Sequence, residues 1–192
     1  MKTKILLLIL FISFFACQNT TIDQREDWIQ QIDKEILKFE KTKEVFKEQT
    51  FVRAHETFTQ AILKSKESSI VKYQTKGEAD MDETFPMSIE IYLKKGKVIF
   101  SKWSGLFPYL YKGQKPKNAF CCYVFVDYKY FKSPTEAIKF IKKIDLNSAK
   151  DYNIMRSQLS DLPFEEEVLN NAQMDYERLM ENVDDISKKL QL

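Results

Sequence analysis

The sequence predicts an α+β fold, with N-terminal helices, an antiparallel meander of three to four strands and C-terminal helices. Three observations lead there. Apolar residues recur at helical steps near both ends of the chain, the middle switches to alternation, and no βαβ pattern runs through it.

At the N-terminal end, Trp28, Ile29, Ile32, Ile36, Phe39 and Phe46 fall at steps that align them on one helical face. Thr21 or Asp23 offers a cap, and Glu26 and Asp27 suit the positive end of a helix dipole. A second helix is expected over about 51–66, burying Phe51, Ala54, Phe58 and Ile62, with the polar run Lys64 to Ser69 ending it. From Ile70 the period becomes two, through Val71, Tyr73 and Thr75. Then Ile89, Ile91 and Leu93 alternate with Ser88, Glu90, Tyr92 and Lys94. Lys95-Gly96 reads as a two-residue hairpin turn, since Gly accepts positive φ and both flanks are extended. Leu93 should then face Val98 and Ile91 should face Phe100, both pairs on one sheet face.

A further strand is expected from about Ala119 to Phe131, where aromatic and β-branched residues on both alternations mark a central position. Ser133-Pro134-Thr135-Glu136 matches a capping box with Pro at the first helical position, predicting a helix to about Ile144. A shorter helical segment over about 148–159 precedes a long helix from about Pro163. Its Val168, Ala172, Tyr176, Leu179, Val183, Ile186 and Leu190 form a seam, which we expect to pack on the N-terminal helix.

The first residues have a different character. Lys2 and Lys4 precede an apolar run from Ile5 to Phe15, broken only by Ser13, and Ala16 stands before Cys17. That is the order of a secretory signal, and the run falls short of the roughly twenty residues that span a bilayer. The segment resembles the lipobox of bacterial lipoprotein precursors, with Phe14 where Leu is preferred. The resemblance implies that residues 1–16 are a signal peptide cut before Cys17. It implies diacylglyceryl and acyl chains (palmitate) on Cys17 and a lipidated tether over 17–22; the length and aromatic content of the rest predict a single α+β domain over 23–192. Two or more chains hold a protein stably on a membrane. Gln18, Asn19, Thr20 and Thr21 carry no acidic sorting signal, so the resemblance implies the periplasmic face of the outer membrane. The hairpin from Tyr92 to Lys97, Tyr-x-x-Lys-Gly-Lys, is similar to that of small uncharacterised Gram-negative envelope lipoproteins and implies no known chemistry.

Losing residues 1–16 removes Lys2 and Lys4 and takes the formal net charge from +2 to zero. That balance, in an envelope compartment, disfavours nucleic acid as a partner. His55 is the sole histidine, so a multi-histidine metal site and most base-assisted nucleophiles lack their parts. No phosphate-binding glycine loop, GxSxG or HExxH occurs. Cys121 and Cys122 are adjacent in a predicted strand, point to opposite faces and read as small apolar residues. The runs Glu165-Glu166-Glu167 and Asp184-Asp185 read as solvated helix charges. No enzyme, metal or cofactor is expected.

Two features point to binding. From Tyr92 to Lys150 thirteen lysines face Asp127, Glu136 and Asp145, whereas the residues beyond are acidic. A basic face would suit an anionic surface, a cell-wall polymer or an acidic protein, unless the acidic C-terminal helix offsets it. From Trp103 to Asn118, Trp103, Phe107, Tyr109 and Tyr111 stand beside Lys112, Lys115 and Lys117 among Gly and Pro breakers. This stretch, too irregular for a strand, is the candidate binding loop, because rings beside cations suit glycan or protein contacts. The expectation is a non-catalytic envelope lipoprotein, a periplasmic binding or protein-interaction module with a protein or cell-wall glycan partner, held to the membrane through Cys17. One alternative is an immunity or inhibitor lipoprotein that blocks a toxin or lysozyme-like enzyme. Another is a structural subunit of an envelope assembly, built on the C-terminal seam.

Overall fold

A computed structural model describes residues 26–53, 56–78, 86–109 and 119–191. In chain order they form α1 (Asp27–Thr42), β1 (Glu44–Arg53), β2 (Glu56–Lys64), β3 (Ile70–Glu78), β4 (Met87–Lys94), β5 (Lys97–Pro108), β6 (Cys122–Ser133), β7 (Glu136–Leu146), α2 (Tyr152–Gln158), β8 (Glu165–Glu167) and α3 (Ala172–Lys189). The strands make one eight-stranded antiparallel sheet in sequence order. This corrects the expected meander of three to four strands, because two of the expected helices are strands.

The first is the segment 51–66, which is the β1–β2 hairpin. Phe51 pairs with Phe58 and Thr50 with Thr59, and the two phenyl rings stack 5.5 Å apart. A step of four residues is also a multiple of two, so Phe58 and Ile62 share a strand face as readily as a helical one. The second is 134–144. Ser133 pairs with Glu136 across a two-residue turn whose Thr135 amide donates to Ser133 Oγ at 3.3 Å, and β7 follows. The residues of a capping box here close a hairpin instead.

Other elements form where the pattern placed them, with shifted ends. α1 stops at Thr42 because Lys43 is already extended, which leaves Phe46 to β1. Lys95 and Gly96 both take positive φ, 52° and 77°, as a type I′ hairpin turn requires. Leu93 pairs with Val98 as expected, but an irregularity between Tyr92 and Leu93 sets Tyr92 against Phe100 and Ile91 against Ser101. Ile91 and Phe100 therefore lie on opposite faces of the sheet. α3 begins at Ala172, capped by Asn171 accepting from the Met174 amide at 3.0 Å. Val168 stays outside it, 86% exposed.

Helices cover both faces. On one, Ile29 and Phe39 of α1 pack with Leu63, Ile70, Tyr92, Phe100 and Tyr130. Val124 and Tyr130 have the same parity on β6, so α2, whose Tyr152 packs with Val124, Leu106 and Cys122, lies on that face too. On the other face Leu179 and Val183 of α3 pack with Ile91, Leu93, Val98 and Phe131, and Ile186 packs with Ile62. Each such burial contributes roughly 1.5–3 kcal/mol. The C-terminal seam is thus spent on the sheet, and not on the N-terminal helix as expected. Lys47 of β1 donates to the carbonyls of Leu190 and Gln191 at 3.0 and 2.9 Å, capping the end of α3 and tying first strand to last helix. Among the described residues no helix is long and apolar enough to cross a membrane.

Candidate functional site

A groove of about 600 Å³ opens between α1 and the sheet. From α1, Asp33, Ile36 and Glu40 reach it along one stripe at steps of three and four, and Lys43, just past the helix end, joins them. From β3 come Lys72, Gln74 and Lys76, and from β4 Glu90 and Tyr92, both sets on a strand period of two. Phe100, Tyr128 and Tyr130 form its aromatic floor, with Lys102 beyond them.

Lys72 is the centre of this arrangement. Only 4% exposed, it lies 2.6 Å from Glu90 and 3.2 Å from Glu40, with its ammonium 5.0 Å from the Tyr92 ring. The Tyr92 hydroxyl is 3.0 Å from Glu40 Oε1 and 2.9 Å from Glu90 Oε2, and Lys43 completes the ring of partners around Glu40. One hydroxyl proton cannot serve both carboxylates at once, so Lys72 is what lets them sit together. Burial pushes the Glu40 carboxyl up, but Lys43, Lys72 and Tyr92 outweigh it and hold it below the ordinary range. Glu90 behaves alike: burial raises it, and Lys72, Lys102 and Tyr92 bring it below its ordinary value. Burial and the two neighbouring carboxylates drive the Tyr92 phenol up. Glu40 and Glu90 are thus held ionised and the Tyr92 phenol protonated. These three groups can therefore contact a ligand through fixed charges and hydrogen bonds.

The candidate binding loop divides. Trp103 and Phe107 belong to β5, where the expected irregular stretch is regular strand up to Pro108. Both face the α3 side of the sheet in an aromatic ladder. Trp103 meets Phe125 at 5.8 Å, Phe107 meets Tyr123 at 5.6 Å, and Tyr123 meets Phe125 at 5.7 Å. Tyr109 packs on Tyr123 at 5.1 Å and donates to Asp145 at 2.6 Å. Tyr111, Lys112 and Lys115 lie outside the described residues, as do Cys17, its tether and His55. Trp103 also lines an apolar cleft of about 380 Å³ beneath α3, with Phe58, Met87, Ile89 and Leu179. Gly105 keeps the adjoining strands close: at φ +152°, a Cβ there would stand 2.2 Å from the Pro86 carbonyl, to which Leu106 donates at 3.0 Å.

Of the remaining candidates, Cys122 is buried and Cys121 half-buried, and neither is in a disulfide. The run Glu165–Glu167 forms β8 on the sheet edge in place of a helix start, and Glu167 pairs with Lys139 at 2.7 Å. Among the described residues no group of three or more His, Cys, Asp or Glu is placed to hold a metal. The acidic C-terminal region offsets basic residues on the α3 face, through Asp175 with Lys129 at 2.9 Å and Glu167 with Lys139.

The groove itself was missed in the sequence. Glu90 and Tyr92 alternate with Ile89 and Ile91, and a polar side of a strand reads as solvent-facing. The available signal was an aromatic among those polar positions, together with a second, mixed stripe along α1. Compared with family models, curated proteins and solved structures, the chain matches none.

Proposed function

We propose that this protein is a non-catalytic binding lipoprotein of the cell envelope, anchored through lipid on Cys17 at the periplasmic face of the outer membrane. It holds a polar, cell-wall-derived ligand, a glycan or peptide fragment, in the groove under α1. One observation carries this reading: Lys72, buried at the middle of the sheet with two carboxylates, lines an open groove and is not sealed inside a core. Desolvating a lysine and two glutamates is costly, and hydrophobic residues of similar size would fill a purely structural position at least as well. The aromatic floor offers stacking area, and Gln74, Lys76 and Lys102 offer hydrogen bonds at its sides. An assembly role built on the C-terminal seam is less well supported, since Leu179, Val183 and Ile186 are buried against the sheet.

The test is calorimetric titration of the full-length protein in neutral detergent with muropeptides and glycan fragments. Saturable binding is expected for the wild type, and Gln74→Phe, which fills the groove, should abolish it with thermal unfolding little changed. Binding that survives the filled groove, or no binding of any fragment, would overturn the reading.

A further inference from the structure

Beyond Lys102 and Tyr128 the groove continues into a second cleft, of about 270 Å³, between α2 and the sheet. Three cations from three elements meet there: Lys102 of β5, Lys142 of β7 and Arg156 of α2. Among the described residues no Asp or Glu lines it. Elsewhere the fold places carboxylates beside its lysines, as for Lys94 with Glu35 at 2.7 Å, Lys129 with Asp175 and Lys139 with Glu167. Here rings lie against all three cations, and among the described residues only Lys102 also faces a carboxylate, Glu90 across the β4–β5 pair. Lys142 lies 4.4 Å over Phe164, Lys102 6.0 Å over Tyr128 and Arg156 5.9 Å over Tyr152, and the Tyr128 and Phe164 rings pack 4.7 Å apart.

A ring holds a cation through its quadrupole without neutralising it, so the charge and most of the N–H donors remain available. Lys142 spends one donor on the Ser160 carbonyl at 3.4 Å. Three like charges in one cleft repel one another, and an anion entering it would relieve that repulsion. We propose that this cleft is an anion subsite that takes a phosphoryl group attached to a larger ligand. The proposal deepens the groove reading and rests on it. A phosphoryl dianion matches the charge of the three cations better than a single carboxylate does, and a guanidinium presents the paired donors that phosphate oxygens accept. Val124, Val126 and Leu159 leave room for an apolar body behind the anion.

The experiment is titration of the full-length protein in neutral detergent with glycerol 3-phosphate and, separately, with dihexanoylphosphatidylglycerol below its micellar concentration. Saturable binding is expected, weakened about tenfold or more in Lys142→Gln and Arg156→Gln and restored by Lys142→Arg. Arg156 is exposed and Lys142 half-exposed, so these variants retain the fold, which circular dichroism checks. Equal binding of both probes identifies the phosphoryl group alone as the recognised feature, and tenfold tighter binding of the lipid identifies a headgroup with its chains. Either supports the subsite. Binding of neither probe, or binding unchanged in both glutamine variants, overturns it. Muropeptide binding that persists in that case leaves the groove reading standing. Phosphate binding without any muropeptide binding retains the subsite and rejects the cell-wall ligand.

Discussion

Lys72 sets the energetics of the network around it. Glu40 and Glu90 share the buried Lys72 ammonium and the Tyr92 hydroxyl, with Lys43 reaching Glu40 alone, so removing the Lys72 or Glu90 charge leaves its partner buried and poorly matched. The linkage to pH follows from the directions of the shifts. Glu40 and Glu90 titrate below their ordinary value of 4.5 in the folded protein. Their stabilising contribution is therefore complete above pH 4.5 and is lost as pH falls through the folded values. Asp127 works in the opposite sense: burial outweighs Lys129 and Lys139 and holds its carboxyl above 3.8, so its ionisation costs stability as pH rises through the folded value. Glu90→Gln should lower unfolding stability at pH 7 by roughly 1.5–3 kcal/mol, the worth of hydrogen bonds to a charged group. Wild type and variant should converge as pH falls through the folded value of Glu90, where its carboxyl is itself protonated. Urea unfolding across a pH series measures this, and a gap that stays constant with pH would disprove the assignment. None of the partners was legible in the sequence, because Glu40 and Lys72 meet only once a helix lies over strands far along the chain.

At the scale of elements, what was legible depended on whether a pattern excluded its alternative. Lys95-Gly96 between extended flanks allows little besides a tight hairpin, and it forms one. The apolar residues at 28, 29, 32, 36 and 39 cannot share a face of a strand, and α1 forms. Phe58 and Ile62 satisfy both periods, and Ser133-Pro134-Thr135-Glu136 suits both a cap and a turn. In those cases strand pairing decided, and long-range pairing leaves no local signature. The C-terminal helix shows the same division: its apolar stripe was plain, yet its partner was not. The structure gives that stripe to Ile91, Leu93, Val98 and Phe131. Leu179→Asp should accordingly place a charge against the sheet with no partner and unfold the monomer, costing more than about 3 kcal/mol. Circular dichroism and sedimentation together check it. A folded monomer carrying the substitution would show that α3 contributes little to the sheet's stability.

For the molecule as a whole, the two faces of the sheet have different fates. α3 closes one with an apolar contact, and its acidic residues offset the lysines beside it. α1 packs on the other and leaves a charged groove between itself and the sheet, and α2 borders the second cleft beyond it. α1 is also the first described element after Cys17, and the chain from Cys17 to Glu26 can reach at most about 30 Å. A lipid on Cys17 would therefore hold the groove-bearing face close to the membrane that supplies or surrounds its ligand. The whole reading depends on that anchor, which rests on the order of basic residues, apolar run, Ala16 and Cys17. Cys17→Ser removes the sulfur that the diacylglyceryl group requires and changes nothing else in the signal. Metabolic labelling with radioactive palmitate should mark the wild-type protein and leave the variant unlabelled, and the variant should accumulate uncleaved or appear in the soluble fraction. Membrane binding should fall sharply in the second case, since the described residues include no membrane-spanning helix that could replace the lipid. Label retained by the serine variant would end the lipoprotein assignment, and with it the argument that this groove works beside a membrane.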